Sequence, residues 1–244
     1  MNMYENNQNN TINEHDKTDV SRIETDVSRV ETGTSRVYWK GSALLAPVPS
    51  VMVTCGTVEK CNIITIGWCG VVSTRPARVY ISVRPERHSH GIISESGEFV
   101  INLTPASFAE IADYCGTVTG RVVDKVKKTG LTPIPSKEVS APTIGNCPLA
   151  LECRVVETHH HGSHDMFVAD VVQVSVDPQY IAADGKLHLD RADLLTYVHG
   201  EYFHTGKKIG KIGIALEDKK KGRNATVEKS ADKGKIHRPK KKKN

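Results

Sequence analysis

The segment "NIITIGWCGVVSTRPARVYISVRPERHSHGIISESGEFVINL", residues 62–103, holds three expected strands and one short helix. Apolar side chains alternate with polar or small ones at 62–67, 79–83 and 99–103, the period of a strand with one buried face, while 89–95, closed by Gly97, is short enough for a single helix. The first strand is unusual. A core needs only aliphatic residues, yet Asn62, Thr65, Gly67, Trp68 and Cys69 fall within nine positions of one another. An amide, hydroxyls and an aromatic wall, followed by a Ser- and Arg-rich turn into a helix, suit a strand edge facing a flat, polar-rimmed ring and a helix start receiving a phosphate. On the residues alone two plainer readings stand beside it: Asn62 also suits a turn cap, and Trp68 also suits packing.

Working outward, further strands are expected at Val51–Cys55, 150–158 and 166–176, and helices at 105–115 with Thr104 as N-cap, 122–128 closed by Gly130, and 191–197 after Asp190. Many strands with few helices point to a mainly β protein, an antiparallel barrel with short peripheral helices. The dinucleotide fingerprint G-x-G-x-x-G after a strand, the P-loop and the G-x-S-x-G elbow are all missing from the sequence, which removes most support for Rossmann, kinase and hydrolase readings.

Charge is unevenly spread. The net +5 combines +8 over residues 217–244, where twelve Lys and Arg meet four Asp and Glu, with −3 over residues 1–216. Any attraction to polyanions, nucleic acid included, therefore belongs to the tail, which lacks aromatic residues for base stacking and otherwise reads as a solvated, disordered extension. Six cysteines form no C-x-x-C pair and mostly sit in apolar runs, the pattern of reduced, buried thiols. No signal peptide or long apolar run is present, so the expectation is a cytoplasmic protein with no membrane contact.

Residues 1–36 read as a flexible arm. Its first part is Asn-rich, and "TDVSRIE", "TDVSRVE" and "TGTSRVY" then repeat every seven residues, too short and too rich in Thr, Ser and Asp to nucleate a stable helix readily; an ordered helix is the competing reading. Residues 37–216 form the expected domain. Within it "HHHGSHD", residues 159–165, reads as a solvated hairpin loop and not as a metal site, because neighbouring strand residues point to opposite faces.

Residues 37–213 resemble the FMN-binding split barrels of the flavin reductase-like family, in particular its flavoredoxin-like branch. The likeness rests on "PVPSVMVT", Asn62-x5-Trp68, "P-x-x-V-x-I-S-V", "SGEFVINL", "CGTVTGRVVDKVKKTGL", His164 before "FVADVV", and "LLTYVHGEYFHTGKKIG", in that order. The resemblance implies that Asn62 and Thr65 meet the flavin's polar rim, and that Trp68 and the adjoining Cys69 line it. It implies Ser82 and Ser89, with Arg84, on the phosphate side, Lys125 as a positive charge on FMN, His164 beside the ring with a tuning role, and Tyr197 as an aromatic contact. It also implies a homodimer, NAD(P)H as electron donor and a small-molecule or protein acceptor, with the flavin and no side chain doing the chemistry. A flavin-binding electron carrier or sensor without NAD(P)H turnover is the alternative, and a nucleic-acid role through the basic tail a second. The His159–His161 run, the repeat arm and the tail depart from the family pattern.

Overall fold

The computed structural model describes residues 36–215. Its main sheet has seven strands: β2 (Val51–Cys55), β3 (Asn62–Ile66), β4 (Cys69–Thr74), β5 (Ala77–Val83), β6 (Glu98–Leu103), β9 (Leu149–His161) and β10 (His164–Val176). They run antiparallel in the order β3-β2-β6-β9-β10-β5-β4. The remaining strands, β1 (Val48–Pro49), β11 (Leu195–Val198) and β12 (Glu201–His204), form a small sheet, and β7 (Pro133–Ile134) pairs with β8 (Thr143–Ile144).

Chain connectivity forces the large sheet to curl. Its outermost strands, β3 and β4, are joined by Gly67 and Trp68 alone. A flat seven-stranded sheet would hold its edges roughly 29 Å apart at about 4.8 Å per strand, and the three peptide steps from Ile66 to Cys69 span at most about 11 Å. Only a barrel brings the edges together. Closure is partial: Ser82 N–H donates to Trp68 O at 2.8 Å, but no ladder joins β3 to β5, so the barrel is split along β3's free edge. This is the split-barrel fold.

The strand pattern produces a core on each side of β2, all five of whose residues are buried. Val51, Val53, Ile64, Ile81, Phe99 and Phe167 fill the barrel, and Ile93 of α1 (His88–Ser96) closes one end. On the outer face, Met52 and Ile63 pack with Ala112 and Cys115 of α2 (Ala109–Thr117) and with Leu195. Phe99 and Phe167 have essentially no exposed surface, and truncating either to Ala would cost about 3–5 kcal/mol.

Several sequence expectations shift. The helix of 105–115 starts later: Ala106–Phe108 is a 3-10 turn, and Thr104 caps nothing, since its hydroxyl accepts from Met52 N–H at 2.9 Å. The helix at 122–128 is α3 (Lys125–Thr129), with the Asp124 carboxylate accepting from Lys127 N–H at 3.1 Å. Gly97 and Gly130 end α1 and α3 in the left-handed conformation, as read from the sequence. No helix spans 191–197, where only Arg191 ends a short 3-10 turn, Leu189–Arg191. Asp193 at φ 44 breaks the turn begun at Leu189, and Leu195–Val198 instead pairs between β1 and β12. Strand β4 was not legible, because as a partly exposed edge strand it lacks a clean alternation.

The histidine run is also not a loop. Ladder pairing continues through His159–His161, and only Gly162 (φ 66) and Ser163 make the turn, so the histidines are exposed strand residues. Asp165, buried at the head of β10, accepts from His90 Nε2 at 2.7 Å and His160 Nδ1 at 2.8 Å and so pins this hairpin to α1. Those two hydrogen bonds hold its carboxyl below the usual range.

A second unit begins at Gly206, and its described part ends in a helical turn where Ile214 N–H donates to Lys211 O at 3.0 Å. The expected tail, and the arm apart from its last residue, lie outside the described residues. No described helix is long and apolar enough to cross a membrane.

Candidate functional site

The split in the barrel is the candidate site. Strand β3 pairs with β2 on one side only, so alternate main-chain groups on its other side face open space. Lys125 identifies which ones: its Nζ donates to Ile63 O at 2.7 Å, so Ile63's carbonyl points into the split, and by alternation Thr65's N–H and C=O do the same. The Thr65 hydroxyl itself is turned away and donates to Ala112 O at 2.5 Å. A groove of about 130 Å³ runs along this edge, walled by Thr65, Gly67 and Trp68 on one side and by Ser82, Arg84 and His164 on the other.

At one end stands an aromatic wall. Trp68, 38% exposed, meets Tyr197 edge-to-face with centroids 6.2 Å apart, and Tyr197 meets Tyr202 in turn at 6.1 Å. His164 lines the opposite side, its Nδ1 within 2.9 Å of Ser163 Oγ. Burial, and then the Arg84 guanidinium, lower its pKa below the ordinary histidine value, which favours the uncharged ring.

The other end is cationic and buried. Ile64 and Arg87 line both the groove and a smaller pocket beneath it, which also receives Asn62, Ser89 and Lys125. Lys125 is 4% exposed, and its ammonium donates to Ile63 O and Cys115 O, each at 2.7 Å. An ammonium carries three N–H groups, so one donor is left over. Burial is the main cause that lowers its pKa from 10.5 to about 8, with Arg87 adding to the effect. Arg87, the residue before α1, donates to Gly116 O. The first N–H groups of α1 open beside it with no side-chain cap, an arrangement that favours an anion.

Of the sequence-derived residues, Thr65, Trp68, Ser82, Arg84 and His164 line the groove, Asn62, Ser89 and Lys125 line the smaller pocket, and Tyr197 stands against Trp68. Asn62 does not sit at the aromatic end: it lies six residues from Trp68, roughly 20 Å along an extended chain, and its Nδ2 donates to Ser89 Oγ at 2.7 Å, tying β3 to α1 at the cationic end. Cys69 lines neither pocket. It packs against the barrel core, and burial pushes its thiol up to about 12. Arg84 borders the groove but is paired with Glu86 at 3.0 Å, whereas Arg87, which sequence reasoning passed over, reaches both pockets. "RPER" offers two arginines three residues apart, and only the turn into α1 distinguishes them. None of the six cysteines is in a disulfide, and burial raises every one of their thiols to about 11 or 12.

The flavin reductase like domain family matches residues 44–206. An uncharacterized protein of Archaeoglobus fulgidus is 30% identical over 161 residues, which is 66% of this chain and 89% of that one. Among solved structures, the flavoredoxin of Desulfovibrio vulgaris (Miyazaki F) is 26% identical with a TM-score of 0.68, covering 73% of this chain and 97% of its own. The flavoredoxin of Methanosarcina acetivorans, also 26% identical at TM-score 0.68, covers 75% and 100%. With the family match spanning the barrel, the split and both ends of the groove, this chain belongs to the flavin reductase-like family.

Proposed function

We propose that the groove binds FMN and that the protein is an oxidoreductase passing electrons from NAD(P)H through the flavin to an acceptor. One observation carries this reading: a free strand edge runs from a buried cationic end at Arg87 and Lys125 to an aromatic end at Trp68 and Tyr197. The likeness to two flavoredoxins supports it.

Thr65's main-chain N–H and C=O would pair with the alternating donors and acceptors on the rim of an isoalloxazine, and Trp68 would cover one side of it. Lys125 has one N–H to spare, and with Arg87 and the start of α1 it would hold the phosphate. His164 in its favoured uncharged form would keep water from the ring without adding a charge. When bound, the flavin supplies hydride acceptance and electron transfer, and these residues supply position and charge.

The test is a titration of FMN into the purified full chain, followed by absorbance and flavin fluorescence, and then NADH and NADPH oxidation with free flavin or a ferric complex as acceptor. Quenching at micromolar FMN with turnover supports the whole proposal. Binding without turnover leaves the flavin carrier or sensor, and unchanged fluorescence rejects flavin binding itself.

A further inference from the structure

We propose that the β9–β10 hairpin carries a site for a divalent transition metal of the copper(II) or nickel(II) class, held by His159 and His161 with Glu157 as a third donor. The site stands apart from the flavin reading. In a loop, the imidazoles of "HHHGSHD" would have no common direction, but the ladder that runs through His161 imposes strand alternation and sorts them by face. His160 goes one way, its Nδ1 lying 2.8 Å from the Asp165 carboxylate that also accepts from His90 of α1. Glu157, His159 and His161 go the other way, two residues apart and all exposed.

Two contacts show that these three side chains share a face. His159 Nε2 donates to Glu157 Oε2 at 2.9 Å, and the rings of His159 and His161 stack with centres 6.4 Å apart and planes at 28°. Both lengths suit a single ion. Ligands at right angles on a metal with bonds of about 2.1 Å stand about 3 Å apart, so an ion fits where His159 now shares its proton with Glu157. A ring centre lies roughly 3.2 Å from a metal bound to its nitrogen, so two rings on one ion stand at most about 6.4 Å apart, and a short inward turn of His161 completes the pair. That turn is needed, because among the described residues no three such side chains already surround one point. It costs little. His161 is exposed and, unlike His159, His160 and His164, makes no side-chain hydrogen bond among the described residues.

Donor chemistry selects the metal. Two imidazole nitrogens and one carboxylate oxygen, with water in the remaining positions on an open surface, form the set that copper(II) and nickel(II) take in tetragonal geometry. A structural zinc site needs four protein ligands closed around the ion, and calcium or magnesium needs oxygen donors. The other oxygen of Glu157 is only loosely paired, 3.7 Å from Arg78 Nη1, so the carboxylate is free to turn toward an ion. His164 is not among the ligands. It is the cross-strand partner of His161, but it lines the groove, and its Nδ1 is within 2.9 Å of Ser163 Oγ. The pairing puts the ion at the rim of the groove.

The experiment titrates Ni²⁺ into the full chain by calorimetry, in wild type and in His159→Ala, His161→Ala, Glu157→Gln and His160→Ala, and counts the imidazoles on bound Cu²⁺ by pulsed electron paramagnetic resonance. All four positions are exposed, so folding is not at stake, and His160→Ala leaves Asp165 its bond from His90. Wild type is expected to bind Ni²⁺ with a Kd on the order of micromolar, His159→Ala and His161→Ala each to weaken it roughly tenfold or more, Glu157→Gln roughly threefold, and His160→Ala less than about twofold. Bound Cu²⁺ should carry two imidazoles in wild type and one in either single variant. The proposal is overturned if His159→Ala or His161→Ala leaves the affinity unchanged, or if wild type binds only at millimolar metal. It is likewise overturned if His160→Ala weakens binding as much as its neighbours do, which would make the run an unordered string of histidines and not a site with a face.

Discussion

The two ends of the groove are built by different means. At the aromatic end Trp68 is more than one-third exposed and is held mainly by Tyr197, and the groups available to a ligand are ring faces and main-chain edges. At the cationic end Lys125 and Ser89 are buried, and each side chain is already hydrogen-bonded to the protein before a ligand arrives. The aromatic end can adjust to what it holds, whereas the cationic end is set in advance. Preset charge favours affinity for one group, a phosphate, while an open ring wall tolerates whatever flat molecule lies against it.

Lys125→Ala should break this division most severely. Losing a charge-assisted hydrogen bond, worth about 1.5–3 kcal/mol, should weaken FMN roughly tenfold to a hundredfold, leave riboflavin within about twofold, and have no counterpart in exposed Lys128→Ala. Equal losses for FMN and riboflavin, measured by fluorescence quenching, would instead place Lys125 at the ring.

pH gives a second, smaller separation of the ends. Lys125 titrates at about 8 in the free protein, and a neighbouring phosphate should raise that value, so FMN binding takes up a proton and its affinity declines as pH rises through 8. The loss should reach up to roughly tenfold by pH 9, with riboflavin flat across the same range. The sign for folding is the reverse. Because the folded value lies below the unfolded 10.5, the unfolded chain binds more protons between about 8 and 10.5, and this group makes the free protein more stable as pH rises across that window. Calorimetric titration in buffers of different ionisation enthalpy reads the proton uptake directly.

Trp68→Ala tests the other end. FMN and riboflavin should weaken together, by roughly threefold to tenfold, since the indole offers a face that both rings share. A change confined to FMN would show that the tryptophan reaches the phosphate side. The smallest expected effect is for Cys69→Ser, where both affinities should stay within about twofold, because the thiol lies against the core and outside the groove.

How much of this was legible in the sequence follows from the range over which each feature is encoded. Strands β2, β3, β5 and β6 and the glycine stops of α1 and α3 are written in neighbouring residues, and they were read nearly to their ends. The strand at Leu195–Val198 was mistaken for a helix because its partners, β1 and β12, supply the pairing that its own residues do not announce. In the groove, Trp68, Ser82 and His164 line one pocket, whereas the family likeness assigned Ser82 to the phosphate side and the other two to the ring. Asn62's attachment to Ser89, Arg87's reach into both pockets and the burial of Lys125 depend on the angle at which α1 and α3 meet β3, and no local pattern records that angle.

The six thiols carry a consequence for chemical durability. Peroxide attacks the thiolate, and a thiol held protonated up to about 11 or 12 offers at most about one thiolate in ten thousand at neutral pH. Reduced flavins generate hydrogen peroxide when they meet oxygen, so a protein that handles them in air is exposed to the oxidant at its source. Sulfur placed in this barrel is packing material that resists being burned, and prolonged exposure to reduced flavin in air should leave the cysteines countable as free thiols after denaturation.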